Sequence, residues 1–199
     1  CFRHHSEVLQ DNIWEDPAKT LEKAGPFIRH AAASGAALIC FPEQFATGWD
    51  PLPKKNIQDI NGSIVSTLRH FAEEYGIAII GSFREAHTPL PRNTAIAIGS
   101  DGEILSTYAK MHLFSYGRED EGHTPGSGLG IFPLGPLTCG IAICYDLRFP
   151  ELFRLYAAHG VQVVFVPSAW PQRRTRHWEL FIQARALENQ MYVAGVNTT

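Results

Sequence analysis

The sequence predicts a layered α/β domain with helices packed on sheets. Two observations predict it: apolar strand runs alternate with amphipathic helical patterns, and a single hairpin interrupts the alternation. Residues 7–12 read as a weak strand, and the residues before them, Arg3, His4, His5 and Ser6, are too polar to start a central one. Asp16-Pro17 opens a helix with Asp16 as N-cap and Pro17 at the first helical position. Its apolar positions Leu21, Ala24, Phe27, Ile28 and Ala31 recur at three and four, and Ser34-Gly35 ends it. Residues 37–41 (ALICF) form a buried strand stopped by Pro42 and followed at once by Glu43. Ser63 is the expected cap of a second helix that turns Val65, Leu68, Phe71 and Ala72 inward and stops at Gly76. Residues 77–83 are the next buried strand. The hairpin follows, with strands at 94–98 and 104–108 about the turn Ser100-Asp101-Gly102, and Lys110 lies just past it.

Residues 113–130 are rich in glycine and charge and read as a long surface loop, of the kind that is functional or disordered in a compact domain. A strand resumes at Ile131-Phe132. The stretch LTCGIAICYDLRFPELFRLY, residues 137–156, then changes character midway. Leu137, Cys139, Ile141 and Ile143 alternate with small residues as a buried strand, and from Pro150 on Leu152, Phe153, Leu155 and Tyr156 take a helical period. Cys144 therefore sits where a strand turns into a helix, near free N–H groups that favour a thiolate and a developing oxyanion. Residues 161–166 are another strand. Residues 175–189 form a helix with Trp178, Phe181, Ile182 and Ala186 as its inner face, and residues 191–196 form a last strand. The chain reads as one domain over 1–199. Because it ends on a strand with nothing to close it, the C-terminal part of the domain is expected to be missing from this sequence.

Composition bounds the function. A 45% hydrophobic fraction in 199 residues supplies an ample core, and a net charge of -3 offers no basic footprint for nucleic acid. No apolar run approaches a membrane-spanning length, so no membrane partner is expected. Cys1, Cys40, Cys139 and Cys144 show no C-x-x-C pair and no zinc-ligand spacing, which predicts a reduced, cytoplasmic protein without a metal site. His4-His5 reads as a terminal pair rather than a metal site, and His112 and His123 as structural or solvent-facing residues.

Glu43, Lys110 and Cys144 each follow the end of a strand, and in an α/β sheet the carboxyl ends of strands share one crevice. A carboxylate there can take a proton from a thiol or a water, the thiolate can attack a carbonyl or nitrile carbon, and the ammonium with the Tyr145 N–H can stabilise the oxyanion. Each residue alone would read as a solvated loop charge or an inert core cysteine. Three complementary groups at three strand ends point instead to an enzyme.

FPEQFATG, YAKMHLF, ICYDLRFPE and RALENQMYV resemble the blocks of the nitrilase superfamily, the carbon–nitrogen hydrolases, over residues 9–199. The resemblance implies a four-layer α-β-β-α sandwich and a thioester intermediate, with no metal and no organic cofactor. It implies Glu43 as base, Lys110 as oxyanion stabiliser and Cys144 as nucleophile. A second glutamate is implied between the Lys and Cys blocks, with Glu119 the better match in GREDEGHTPG and Glu121 the alternative. CYDLRFPE and SAWPQRRTRHW resemble the small-amidase branch, whose members include omega-amidases acting on 2-oxo acid amides. A small carboxylated amide is the expected substrate, and a homodimer or larger homo-oligomer the expected assembly. An N-carbamoyl-amide hydrolase or a nitrilase is the alternative within enzymes, and a non-catalytic assembly module the alternative outside them.

A carboxylate on the substrate needs a cation. Arg148, Arg173, Arg174 and Arg176 lie on loops after strand ends, though Arg148 pairing with Asp146 or Glu151 and a solvated 173–176 run are the blander reading for at least two of them. Tyr145, Arg148 and Trp170 are the expected substrate contacts, with Phe114 as a further wall. Asn93 and Asn197 are assigned no role.

Overall fold

Two β-sheets lie face to face between two pairs of helices. The computed structural model describes residues 13–198, so the strand expected at 7–12 and the His4-His5 pair lie outside the described residues. The first sheet holds β1 (Leu38–Cys40), β3 (Ala78–Glu85), β4 (Arg92–Ile98) and β5 (Ile104–Ala109) in that order, with the short β2 (Ile57–Gln58) also paired to β3. The second is β6 (Gly130–Leu134), β7 (Leu137–Ile141), β8 (Val163–Ser168) and β9 (Tyr192–Asn197). The helices are α1 (Pro17–Ala33), α2 (Ser63–Tyr75), the one-turn α3 (Glu119–Gly122), α4 (Pro150–Ala158) and α5 (Thr175–Asn189).

The period of two along a strand separates the layers. In β3 and β4, Ile79, Phe83, Ile96 and Ile98 join Leu21, Ala24 and Ile28 of α1 and Val65, Leu68 and Ala72 of α2 in one buried cluster. The residues between them, Ile80, Ala95 and Ala97, belong to a second cluster with Phe132, Cys139, Ile141 and Val164 of the other sheet and Leu152, Phe153 and Tyr156 of α4. The order is therefore α-β-β-α. β1 runs parallel to β3, β3–β4–β5 alternate, and β7, β8 and β9 run parallel. The carboxyl ends of β1, β3 and β5 therefore gather at one end of the first sheet, and hydrogen bonding of Glu43 and Ala169 brings the carboxyl end of β8 beside them.

Asp16 caps α1, its Oδ1 accepting the Lys19 N–H at 3.2 Å. Ser63 is not a cap. Gly62 holds that position, and the Gln58 Oε1 accepts the Ile64 N–H at 3.0 Å in place of a capping side chain. A glutamine five residues upstream does the work because β2, which the sequence did not announce, delivers it there.

On α5 the expected inner face is only half-buried, Arg185 is the buried residue, and Leu180 and Leu187 are exposed. The larger correction concerns 113–130. This is not a loose surface loop, since it carries α3 and buries Glu119, Gly122 and His123. Its glycines serve backbone-on-backbone packing: a Cβ would lie 2.0 Å from the Pro51 carbonyl oxygen at Gly122 and 2.2 Å from that of Ala109 at Gly126. Among the described residues no helix is long and apolar enough to cross a membrane, and no cluster of His, Cys, Asp or Glu could hold a metal.

Gly126→Ala and Gly128→Ala should therefore behave differently within one segment. A Cβ at Gly128 meets nothing within 4 Å. The Gly126 change should cost about 1–3 kcal/mol through overpacking, and the Gly128 change close to nothing, as measured by urea unfolding. Equal effects would show that 113–130 does not pack as described.

Candidate active site

Three loops bring the site together. Glu43 follows β1 and Pro42, and the next residue, Gln44, takes a left-handed backbone (φ 47°). That turn is held from two sides: Ser82 Oγ accepts the Gln44 N–H at 2.6 Å, and Arg84 Nε donates to Gln44 Oε1 at 3.0 Å. Arg84 is fully buried and also binds the Gly48 carbonyl at 2.9 Å and Glu15 at 2.6 Å, so it ties the Glu43 loop to its neighbours. Lys110 leaves β5 directly, and its N–H donates to the Asn93 carbonyl at 2.9 Å.

Cys144 is the first residue of a 3-10 turn, Cys144–Arg148, and its φ of 46° is uncommon for a residue with a side chain. Buried Asp146 holds that turn. Its Oδ2 accepts the Ile143 N–H and the Tyr108 hydroxyl, each at 2.8 Å, and its Oδ1 accepts the His112 N–H at 3.0 Å beside the His112 Nδ1 at 2.8 Å. His112 also stacks on Phe149, 3.7 Å between centroids, so it is a structural residue.

The predicted residues meet. Lys110 Nζ lies 2.8 Å from Glu43 Oε1 and 2.8 Å from Glu119 Oε2, all three side chains being buried. The Cys144 thiol and Glu43 face the same pocket and act on each other's titration. Glu43 Oε2 also accepts the Ala169 N–H at 3.0 Å, and Glu119 Oε2 that of Phe114 at 2.8 Å. The two candidates for the second glutamate separate: Glu119 joins the cluster, and Glu121 is an exposed partner of Arg118 at 2.8 Å. The Tyr145 N–H has no hydrogen-bond acceptor among the described residues and is free for an oxyanion.

The electrostatics are asymmetric. Burial pushes the Glu43 carboxyl up; Lys110 opposes this and Glu119 adds to it. Burial also works on Glu119, but Lys110, the Phe114 N–H and Asn93 outweigh it and hold Glu119 below its usual range. Burial alone would depress the Lys110 ammonium, yet Glu43, Glu119 and Cys144 together hold it well above its ordinary value. The Cys144 thiol is pushed well up, first by burial and then by the Glu43 charge. This differs from the thiolate expected from the turn's donors. Burial and the Glu43 charge outweigh Lys110 and the Ala169 N–H, so the thiol rests protonated and needs a base at the moment of attack.

A pocket opens over the thiol, with about 390 Å³ of space between atoms, its mouth included. Its walls include the expected Tyr145, Arg148, Trp170 and Phe114, with Trp49 and Arg174 besides. Arg148 pairs with neither Asp146 nor Glu151. Asp146 is already taken by Tyr108, Ile143 and His112, and the Arg148 guanidinium instead lies over Trp170 and Phe181, 5.1 Å from each ring, and over Tyr145 at 5.5 Å. Arg174 lies 5.9 Å from the Phe114 ring and its carbonyl accepts the Trp170 indole N–H at 3.0 Å, whereas Arg173 and Arg176 are exposed.

Three site residues escaped the sequence reading. Asn93 touches both glutamates, Asn197 braces the Trp170 loop through its N–H at 2.6 Å and its carbonyl at 3.0 Å, and Asp146 anchors the Cys144 turn. Only Asp146 left a sequence signal, as a polar residue between an apolar strand and an apolar helix.

The carbon-nitrogen hydrolase family model matches residues 8–199. The chain is 34% identical over 191 residues to the 2-oxoglutaramate amidase of Bacillus subtilis, covering 95% of this chain and 73% of that protein. It is 33% identical over 198 residues to the omega-amidase of Homo sapiens, covering 94% and 71%. Among solved structures, an amidase from Nesterenkonia sp. superposes with a TM-score of 0.85 at 28% identity, covering 96% of this chain and 74% of that one. A variant of that amidase carries a Michael adduct of acrylamide at its active-site cysteine; this pair has a TM-score of 0.85 at 28% identity, with 95% and 76% covered.

Asp146→Ala would leave the Tyr108 hydroxyl and the Ile143 N–H buried without a partner. At about 1–3 kcal/mol for each unsatisfied group, the expected loss is about 3 kcal/mol or more in urea unfolding. A loss below 1 kcal/mol would mean that Asp146 does not anchor the turn.

Proposed function

This chain belongs to the carbon–nitrogen hydrolase family, and we propose that its buried Glu43, Lys110, Glu119 and Cys144 hydrolyse a small carboxylated amide, of the 2-oxo acid amide type, through a thioester on Cys144. It is a thiol amidohydrolase of small amides. The observation that carries the assignment of roles is the single ammonium in contact with two buried carboxylates, one of which lines the pocket together with the thiol.

The chemistry follows from the contacts. Glu43 Oε2 takes the thiol proton as Sγ adds to the amide carbon. An ammonium has three donors; one serves Glu43 Oε1, one is shared by the two oxygens of Glu119, and the third, with the Tyr145 N–H, meets the oxyanion. Collapse breaks the C–N bond, and the proton held on Glu43 goes to the leaving nitrogen, releasing ammonia. Water then attacks the thioester with Glu43 again as base, and the released thiolate recovers its proton as the carboxylic acid leaves. Glu119 stays ionised and keeps Lys110 charged and in place.

The carboxylated substrate is supported by the pocket wall. It carries two guanidiniums, Arg148 and Arg174, and no carboxylate besides Glu43. Unpaired Cys40, Cys139 and Cys144 support a reducing, cytoplasmic setting, and the exposed Leu180 and Leu187 of α5 support a homodimer or larger homo-oligomer.

The test is ammonia release from 2-oxoglutaramate, butyramide, an N-carbamoyl amino acid and an aliphatic nitrile, with Cys144→Ala as control. Fastest release from the carboxylated amide, lost in the alanine variant, is expected; faster turnover of the carbamoyl compound or the nitrile would replace this substrate class.

Lys110→Arg keeps the charge but moves the donors. It should lose about 100- to 1,000-fold in turnover, the usual loss for one oxyanion donor, with a smaller change in KM. Near-wild-type turnover would give the oxyanion to other donors.

Arg174→Met should raise KM for 2-oxoglutaramate by about tenfold or more, as expected for a lost charge-assisted contact, and leave butyramide unchanged. An equal change on both substrates would remove the carboxylate from this end of the pocket.

A further inference from the structure

Asn93 lies at the start of β4, paired in register with Arg84, and is fully buried. Its amide nitrogen carries two hydrogens. It lies 2.8 Å from Glu43 Oε1 and 3.1 Å from Glu119 Oε1, so each glutamate takes one. Lys110 Nζ touches the same two oxygens at 2.8 and 3.1 Å. The ammonium and the amide thus straddle the gap between two buried carboxylates. Without donors in that gap, such a pair relieves its repulsion by trapping a proton between its oxygens.

We propose that Asn93 is a positioning residue of the hydrolysis: it holds Glu43 and Glu119 apart and leaves Oε2 of Glu43 as the oxygen that serves the Cys144 thiol. The proposal rests on the reading of Glu43 as base. The donor census supports it. Both oxygens of Glu119 are loaded, Oε1 by Lys110 and Asn93 and Oε2 by Lys110 and the Phe114 N–H. On Glu43 the two side-chain donors Lys110 and Asn93 crowd onto Oε1, whereas Oε2 accepts only the Ala169 N–H among the described residues and shares the pocket wall with Cys144. One glutamate is thereby a fixed counter-charge and the other keeps one basic oxygen.

The other end of the side chain supports the same role. Asn93 Oδ1 is buried without a hydrogen-bond partner. Turning the amide round would satisfy nothing, because Oδ1 would then face two carboxylate oxygens; the glutamates dictate its orientation. A buried carbonyl without a partner is destabilising. Leucine has the same shape without that defect, so packing alone does not account for an asparagine here.

The charged and titratable groups facing Glu43 are Lys110, Glu119 and Cys144, with His123 behind Glu119. Burial already raises the Glu43 carboxyl above 4.5. A base works only when deprotonated, so the acid limb of kcat/KM lies above that value in the wild type. Removing the Asn93 donors takes away stabilisation of the ionised form and moves the limb to higher pH.

The experiment compares wild type, Asn93→Leu and Asn93→Ser. It follows the pH profile of kcat/KM on butyramide and the pH profile of Cys144 alkylation by iodoacetamide, each per folded protein measured by circular dichroism. Asn93→Leu should lose on the order of 100-fold in kcat, the lower range of what acid–base catalysis supplies, with KM changed far less. Both acid limbs should move up. Asn93→Ser, which keeps one donor, should shift both in the same direction by less, and it decides the matter if the leucine variant does not fold. Wild-type limbs in both variants, or a rate loss that only tracks lost folded protein, would overturn the proposal. Alkylation needs no substrate, so limbs that move in an enzyme inactive on every amide would sink the substrate reading while upholding Asn93.

Discussion

A single ammonium between two carboxylates, sealed from water, is the interaction on which the rest of this structure depends. Removing three charges from water costs several kcal/mol per ion even after relaxation, and Lys110, Glu43 and Glu119 are all buried. Lys110 returns part of that cost to both glutamates, and Asn93 and the N–H groups of Phe114 and Ala169 cover the remaining oxygens. One negative charge is left over. Burial raises both Glu43 and the Cys144 thiol and that surplus adds to it, so the nucleophile and its base are matched to each other rather than to water.

A polar scaffold surrounds this cluster. Arg84 neutralises Glu15 and clamps the loop that carries Glu43, while Asp146 binds three groups to hold a cysteine in a left-handed turn. These residues never meet the pocket. They hold two loops in conformations those loops would not keep in isolation, and a shift of one loop would separate the thiol from its base.

Above this floor the pocket changes character. Trp49, Phe114, Tyr145 and Trp170 make its walls, and Arg148 and Arg174 bring positive charge against them. Stacking over rings fixes a guanidinium without neutralising it. One carboxylate and two guanidiniums thus line a largely aromatic pocket.

What could be read from the sequence was whatever depends on short-range pattern. Strand and helix positions followed from apolar period, the Asp16 cap from a local hydrogen bond, and Glu43, Lys110 and Cys144 from their places directly after strands. Tertiary structure decided whatever depends on what crosses the space between those strands. Glycines at 122 and 126 looked like looseness and are close packing, because the backbone they meet, at Pro51 and Ala109, belongs to other parts of the chain. Gln58 caps a helix from a strand no local pattern announced. Asn93 looks in sequence like any residue at a strand's start, and Arg148 like half of a local ion pair. Their partners, Glu43, Glu119, Trp170 and Phe181, are brought to them only by the fold. Even the thiol's protonation was beyond the local pattern, since a turn's donors are visible in sequence and the carboxylate that outweighs them arrives from another sheet.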